Sequence, residues 1–282
     1  MVSVYWQGFL SGLTNGSIYA LIGLGFTLIY RSTNVLNIAQ GEFAMVGGLL
    51  AASLAGVLGL PLPAAFILAV LITGLVGSLF ERAFIRPVLN QPFFIQLMIT
   101  VVAIWVFHGF AMVVWGKQPH TLPHLFGRTP IAVFGAIVLP QVVCILVVTA
   151  LVIIAFRLFL GRTMFGRALR VCAEDKSMAR LLGINVERFV NFSFFLSAAL
   201  GALGGILVTP LITMSFYTGT NLMIKAVTAT IIGGLFGYFG PVVGGLLLGI
   251  MESWAGIAIH GLLKDAIALT ILILVLLFRP LP

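Results

Sequence analysis

Two carboxylates set inside apolar runs are the residues most in need of a chemical reason: Glu42, near the start of the second run, and Glu252, near the end of the chain. A charged carboxylate in hydrocarbon costs a few kcal/mol unless it is paired or near water. For Glu42, the positive end of a helix with Asn37 or Arg31 beside it is one source of stabilisation, and a gating role is another reading. Glu252 is expected to make an internal polar contact, because a lipid-facing carboxylate is disfavoured. Thr14, Asn15, Ser17 and Tyr19 form a polar patch in the first run, with Asn34 and Asn37 beyond its end and Gln40 next along. Amides and hydroxyls of this kind line a passage for a zwitterion, or they make hydrogen bonds between membrane helices. The candidate pathway or gating residues are therefore Asn15, Ser17, Tyr19, Asn37, Gln40, Glu42 and Glu252.

Bond-making chemistry has little support. His108, His120, His124 and His260 show no HExxH spacing, and neither GxSxG nor a paired-carboxylate arrangement accompanies them. No metal site is expected. A GxxxxGK[ST] loop is missing, so the chain has no phosphate cradle with which to hydrolyse ATP itself. Gly201, Gly204 and Gly205 lie in an apolar helix with no strand before them, which excludes a dinucleotide fingerprint. Cys144 falls in an apolar run and Cys172 in a basic loop, so they are not expected to pair.

The elements that position these residues follow from composition. Of 282 residues, 61% are hydrophobic and only 8% charged, with a mean hydropathy of +1.21. A bilayer core of roughly 30 Å needs a helix of about twenty residues, and apolar runs of that size recur near 8–30, 38–58, 63–80, 93–115, 136–158, 189–209, 222–238, 241–259 and 264–278. The expected fold is all-α, a polytopic bundle of eight or nine membrane segments forming one domain over 1–282. The seventh and eighth segments, divided by Gly237-Tyr238-Phe239-Gly240-Pro241, form a tight hairpin or a re-entrant pair. The N-terminus has no basic stretch ahead of its first apolar run, which argues against a cleaved signal peptide.

The net charge of +8 is explained by where it sits rather than by nucleic acid. Arg157, Arg162, Arg167, Arg170, Lys176, Arg180 and Arg188 fall in one loop, which the positive-inside rule makes cytoplasmic. Alternation then puts Arg31, Arg82, Arg86 and Arg279 on the same side, the N-terminus outside and the C-terminus inside. Small residues four apart, among them Gly12/Gly16, Gly201/Gly205 and Gly245/Gly249, allow helix backbones to approach closely.

Within the basic loop, about 159–188, the stretch Ala168 to Asn185 reads as a short interfacial helix. Leu169, Cys172, Ala173, Ala179 and Leu182 share one face, Thr163 is a plausible N-cap, and Gly183 is placed to end the helix in a left-handed conformation. Such a helix either rests on anionic lipid or docks a partner. Ala173-Glu174 followed by Ala179, Gly183 and Ile184 resembles the coupling-helix motif of ABC importer permeases. Asn15-Gly16-Ser17-Ile18-Tyr19-Ala20-Leu21 and Asn37-Ile38-Ala39-Gln40-Gly41-Glu42 resemble the amino-terminal signature of branched-chain amino acid permeases, the smaller of the two subunits such importers pair. Ile232 to Gly237 and Gly240 to Gly249 resemble that family's late glycine-rich hairpin.

The resemblance implies a permease subunit in a bacterial inner membrane, with Ala173, Glu174, Ala179, Arg180, Gly183 and Ile184 in the ATPase-coupling segment. It also implies two ATPase subunits that hold ATP-Mg, a second homologous permease and a periplasmic substrate-binding protein, with no cofactor on this chain. Ile38 and Gln40 stand where the family more often has Phe and His, and similar relatives carry urea, short amides or aromatic acids. An ion-coupled secondary transporter is the other transport class, and the few buried ionisable groups speak against it.

Overall fold

The computed structural model describes residues 2–123, 130–133, 136–234 and 237–258, with isolated positions beyond. The ninth run, 264–278, falls almost wholly outside them, as do His124, Arg128, His260, Lys264 and Arg279. The elements are α1 (Val2–Thr33), α2 (Gln40–Gly56), α3 (Leu62–Phe80, continued by a π turn and a 3-10 turn), α4 (Phe93–Trp115), β1 (Ile131–Val133), β2 (Ala136–Val138), α5 (Pro140–Arg162), α6 (Met164–Glu174), α7 (Lys176–Leu181), α8 (Val186–Val208), α9 (Thr218–Gly233) and α10 (Gly240–Ala258).

Local chemistry sets the helix ends. Pro61, Pro92 and Pro140 stand at or next to the starts of α3, α4 and α5, where a missing N–H costs nothing. Pro140 also explains a departure from the expected fifth span. Residues 136–138 pair antiparallel with 131–133, and the helix begins only where proline can occupy its first turn. The other departures are α9, which runs Thr218–Gly233 instead of 222–238, and the basic segment, which is two helices. Asp175 breaks that segment by adopting an extended conformation and accepting the N–H groups of Ser177 (2.7 Å) and Met178 (3.0 Å), the preference of Asp for an N-cap winning over helix continuation.

Among the described residues, six helices are long and apolar enough to cross a membrane: those within Tyr5–Thr33, Leu62–Val88, Phe93–Trp115, Pro140–Arg162, Val186–Val208 and Gly240–Ala258. The most apolar stretch of α1 is 89% buried and that of α8 72%, against 28%, 22% and 17% for α3, α4 and α5. Thus α1 and α8 form the interior, while the outer helices present Leu75, Trp105, Val113 and Leu151 to the surroundings. This is a multi-pass membrane protein.

Glycine allows close backbone contact between α1 and α10. A Cβ on Gly16 would lie 2.6 Å from the Gly245 carbonyl oxygen and 2.8 Å from Leu246 Cα, so α1 and α10 meet backbone to backbone.

The two remaining core helices, α2 with 17 residues and α9 with 16, are shorter. Gln40 Nε2 donates to the Ser197 carbonyl (3.0 Å), and Ser197 Oγ donates to the Gly25 carbonyl (2.7 Å). The start of α2 therefore lies at the level of Ser197, midway along α8. Of the non-helical residues before it, Val35, Asn37 and Ala39 are fully buried. Irregular backbone at such depth is tolerated only inside protein or beside a water-filled cavity.

Basic residues collect at one end of the bundle. The Arg31 guanidinium lies 4.2 Å from the Tyr238 ring centroid, Arg157 faces the Phe239 ring, and Arg86 reaches Glu187 at 3.3 Å. The other end is closed by His120 and Met214, which exchange backbone hydrogen bonds of 2.8 and 2.7 Å.

Candidate functional site

The first turns of α2 and α9 meet inside the bundle, and Glu42 sits between them. Its side chain is fully buried. Thr220 Oγ1 donates to Glu42 Oε1 (2.8 Å), and His108 Nε2 on α4 stands 3.2 Å from Oε2 and 3.3 Å from Thr220 Oγ1. Two helix N-termini and an imidazole thus face one carboxylate. The helix end was anticipated, but Arg31 lies over Tyr238 and not against Glu42. Asn37 is buried with neither amide atom bonded among the described residues. Gln40 is committed to a reciprocal pair with Ser197, whose Oγ lies 2.8 Å from Gln40 Oε1.

A second polar centre lies where α1, α9 and α10 converge. Glu252 Oε1 accepts from Lys225 Nζ (2.6 Å), and its Oε2 accepts from Tyr19 OH (2.9 Å). The carboxylate is fully buried, while Lys225 retains 18% side-chain exposure. These groups open on a cavity of about 400 Å³ that Asn15, Thr218 and Asn221 also line. A buried carboxylate and a partly accessible ammonium, flanked by amides, match the two charges of a zwitterion. Helix α9 joins the two centres, because it carries Thr220 to Glu42 and Lys225 to Glu252. Ser17 is buried outside that lining, and Thr14 donates to its own helix at Leu10 (2.8 Å), the interhelical role being absent there.

The basic loop forms a third feature. Thr163 Oγ1 accepts from Gly166 N–H (2.9 Å) and caps α6. Gly183 adopts φ +74° and ends α7, with its N–H donating to Arg180 and that of Ile184 to Ala179, both at 3.0 Å. Leu169, Cys172 and Ala179 face inward, Ala173 and Ile184 are half-buried, and Glu174 and Arg180 are exposed. Leu182, expected on the inward face, is exposed beside Met178 and Leu181, because the break at Asp175 gives α7 its own orientation. Burial pushes the Lys176 ammonium below its ordinary range, with the Arg180 charge adding to the effect.

His108, Thr220 and Lys225 were not singled out from sequence. An ionisable residue within an apolar run was the available signal for His108 and Lys225; Thr220 offered none.

Residues 8–276 match the model of the branched-chain amino acid transport system permease component. The chain belongs to that family. This permease is 35% identical to the high-affinity branched-chain amino acid transport system permease protein BraD of Pseudomonas aeruginosa, over 98% of this chain and 94% of that one. It is 32% identical to LivH of Escherichia coli with the same coverage, and 32% identical to a probable LivH of Methanocaldococcus jannaschii over 84% of this chain and 76% of that one. PsaBC from Streptococcus pneumoniae, solved with a Fab, shares the fold with a TM-score of 0.54 at 14% identity, covering 99% of this chain and 97% of that chain. The permease is a transport subunit of an ABC-type importer and not an enzyme, with ATP hydrolysis in separate subunits. Urea, short amides and aromatic acids are not favoured as cargo.

Proposed function

We propose that this permease forms, with a second homologous permease, the inner-membrane path of an ATP-driven importer for branched-chain amino acids. The observation that carries this reading is the Lys225–Glu252 pair opening, with Tyr19, Asn15 and Asn221, on one cavity inside a chain of this family. An amino acid crossing the bundle needs a counter-charge for each end, and the pair supplies both while neutralising itself between passages. Glu42, held by Thr220 and His108, and the buried Asn37 before it act as a gate. The bundle, a single domain over 1–282, has eight or nine membrane segments in this reading, with the short helices α2 and α9 counted among them.

The loop of about 159–188, cytoplasmic in this reading, is the surface on which an ATPase subunit seats. Ala173, Glu174, Ala179, Arg180, Gly183 and Ile184 form its coupling segment. Support comes from exposed Met164, Phe165, Met178, Leu181 and Leu182 on an otherwise basic surface, since clustered exposed apolar residues mark interaction sites. Two ATPase subunits hold ATP-Mg, a periplasmic binding protein delivers the amino acid, and the motor drives the bundle between outward-open and inward-open states.

Reconstitution tests this directly. Proteoliposomes containing the two permeases and two ATPases should take up leucine from its loaded binding protein only when ATP is enclosed on the ATPase side. Uptake by this chain alone under a proton or sodium gradient would overturn the reading.

A further inference from the structure

The third helix changes pitch at the basic end, with a π turn over Glu81–Ile85 followed by a 3-10 turn over Arg86–Val88. Glu81 is buried there while Arg82 is exposed. The buried carboxylate is fully engaged. Asn191 Nδ2 on α8 donates to Glu81 Oε2 (2.6 Å), and Arg86 donates through Nε and Nη2 to its two oxygens at 3.2 Å each. Asn191 Nδ2 also donates to the Ser78 carbonyl (2.9 Å), and Ser78 Oγ donates to Asn191 Oδ1 (2.6 Å). A third bond from Arg86, through Nη1 to Glu187 (3.3 Å), closes the row.

Ser78, Arg86, Glu187 and Asn191 floor a cleft of about 620 Å³ between α3 and α8, while Glu81 is buried outside its lining. Arg86 is paired with both Glu81 and Glu187, so this network carries one net negative charge, but the walls add two positive ones. Arg82 and Arg188 also line the cleft, both are exposed, and among the described residues neither makes an ion pair. Beside them the cleft is apolar. Phe192 and Phe195 stack at 6.2 Å, and Leu75 and Leu79, exposed on α3, continue the helical stripe that leads to Arg82. Two unmatched guanidinium groups at the basic end, with an apolar wall running from them into the membrane-facing surface, have the chemistry of a phospholipid site. Basic pockets between membrane helices on the cytoplasmic side recognise anionic headgroups in this way, and guanidinium groups bind phosphate with two parallel hydrogen bonds.

We propose that this cleft binds one anionic phospholipid, with Arg82 and Arg188 on the phosphate and the acyl chains along Leu75, Leu79 and Phe192. The bound lipid would tie the end of α3 to the start of α8, directly after the basic loop, where Asn185 caps α8 by accepting from Arg188 N–H (3.2 Å). Lipid occupancy thereby sets how firmly the exit of that loop is held. The proposal rests on the cleft and on membrane embedding, and is independent of the cargo.

Native mass spectrometry of the full chain, purified with its partner subunits, provides the test. Wild-type complex should retain a phosphatidylglycerol adduct in preference to phosphatidylcholine, and R82Q/R188Q should lose most of that preference. R167Q, an exposed arginine outside the cleft, should keep it. If the double variant does not assemble, R82Q and R188Q alone should each weaken the adduct, while R82K keeps it. Equal retention of the two lipids by wild type, or an undiminished phosphatidylglycerol adduct in the arginine variants, overturns the proposal. So does full competition by millimolar inorganic phosphate, which would reveal a simple anion site.

Discussion

Replacing Lys225 with methionine is expected to reduce leucine uptake by the assembled importer at least tenfold and to lower its thermal unfolding midpoint. The ammonium lies 2.6 Å from a carboxylate that is fully buried, and removing one partner of a buried pair costs about 3–5 kcal/mol, because the remaining charge stays desolvated. Part of that cost is avoided if Glu252 takes up a proton, but the site then lacks both charges that would meet an amino acid. Glu252→Leu removes the other partner and also the acceptor of the Tyr19 hydroxyl, so it should block uptake as severely. The exchanged pair, Lys225→Glu with Glu252→Lys, should recover stability more than transport, since the charges are restored but their places along the path are reversed. Uptake measured in proteoliposomes, beside a melting curve of the same preparation, separates the two effects. Unchanged uptake in Glu252→Leu would remove this pair from the path.

Substitution of Gly183 by valine should uncouple ATP hydrolysis from transport while leaving insertion intact. Its φ of +74° suits glycine, and a left-handed conformation costs other residues roughly 1–2 kcal/mol. A β-branched side chain is the worst case. Nothing lies within 4 Å of the position a Cβ would take, so the penalty falls on the backbone that leads from α7 into α8 and not on packing. Gly183→Asn, which tolerates this conformation, should retain coupling. Arg180→Glu, at an exposed position, reverses charge with no local packing to disturb, and should likewise lower the leucine moved per ATP hydrolysed. Undiminished transport in both Gly183→Val and Arg180→Glu would count heavily against the docking surface.

Much of this fold was legible in the sequence, and the physical reasons are local. Apolar length marked the long helices, and the glycine pairs of α1 and α10 announced a backbone contact that the structure places at Gly16 and Gly245. Thr163 and Gly183 were readable as helix ends because capping depends on neighbouring residues alone. The break at Asp175 was equally local, yet the continuous spacing of apolar residues through the loop masked it. The depth at which α2 begins was not legible, since it depends on bonds from Gln40 and Ser197 to distant backbone.

The partners of the acidic residues show the same division. That Glu42 and Glu252 need partners follows from burial energetics. Which residues answer the need depends on how helices far apart in sequence are brought together: His108 and Thr220 for one, Lys225 and Tyr19 for the other. Lys225 was the most accessible clue, a lone basic residue in an apolar helix. Its match with Glu252 became evident only when α9 and α10 were seen side by side.

The cavity's place on the path is most directly tested at Asn221, an exposed residue of its lining. With Cys144 and Cys172 replaced by serine, a cysteine at position 221 can be labelled in proteoliposomes by a membrane-impermeant thiol reagent. The rate is predicted to change several-fold between the nucleotide-free and ATP-trapped complexes, and to fall when leucine-loaded binding protein is present. Identical labelling in every state would contradict a path through the Lys225–Glu252 cavity.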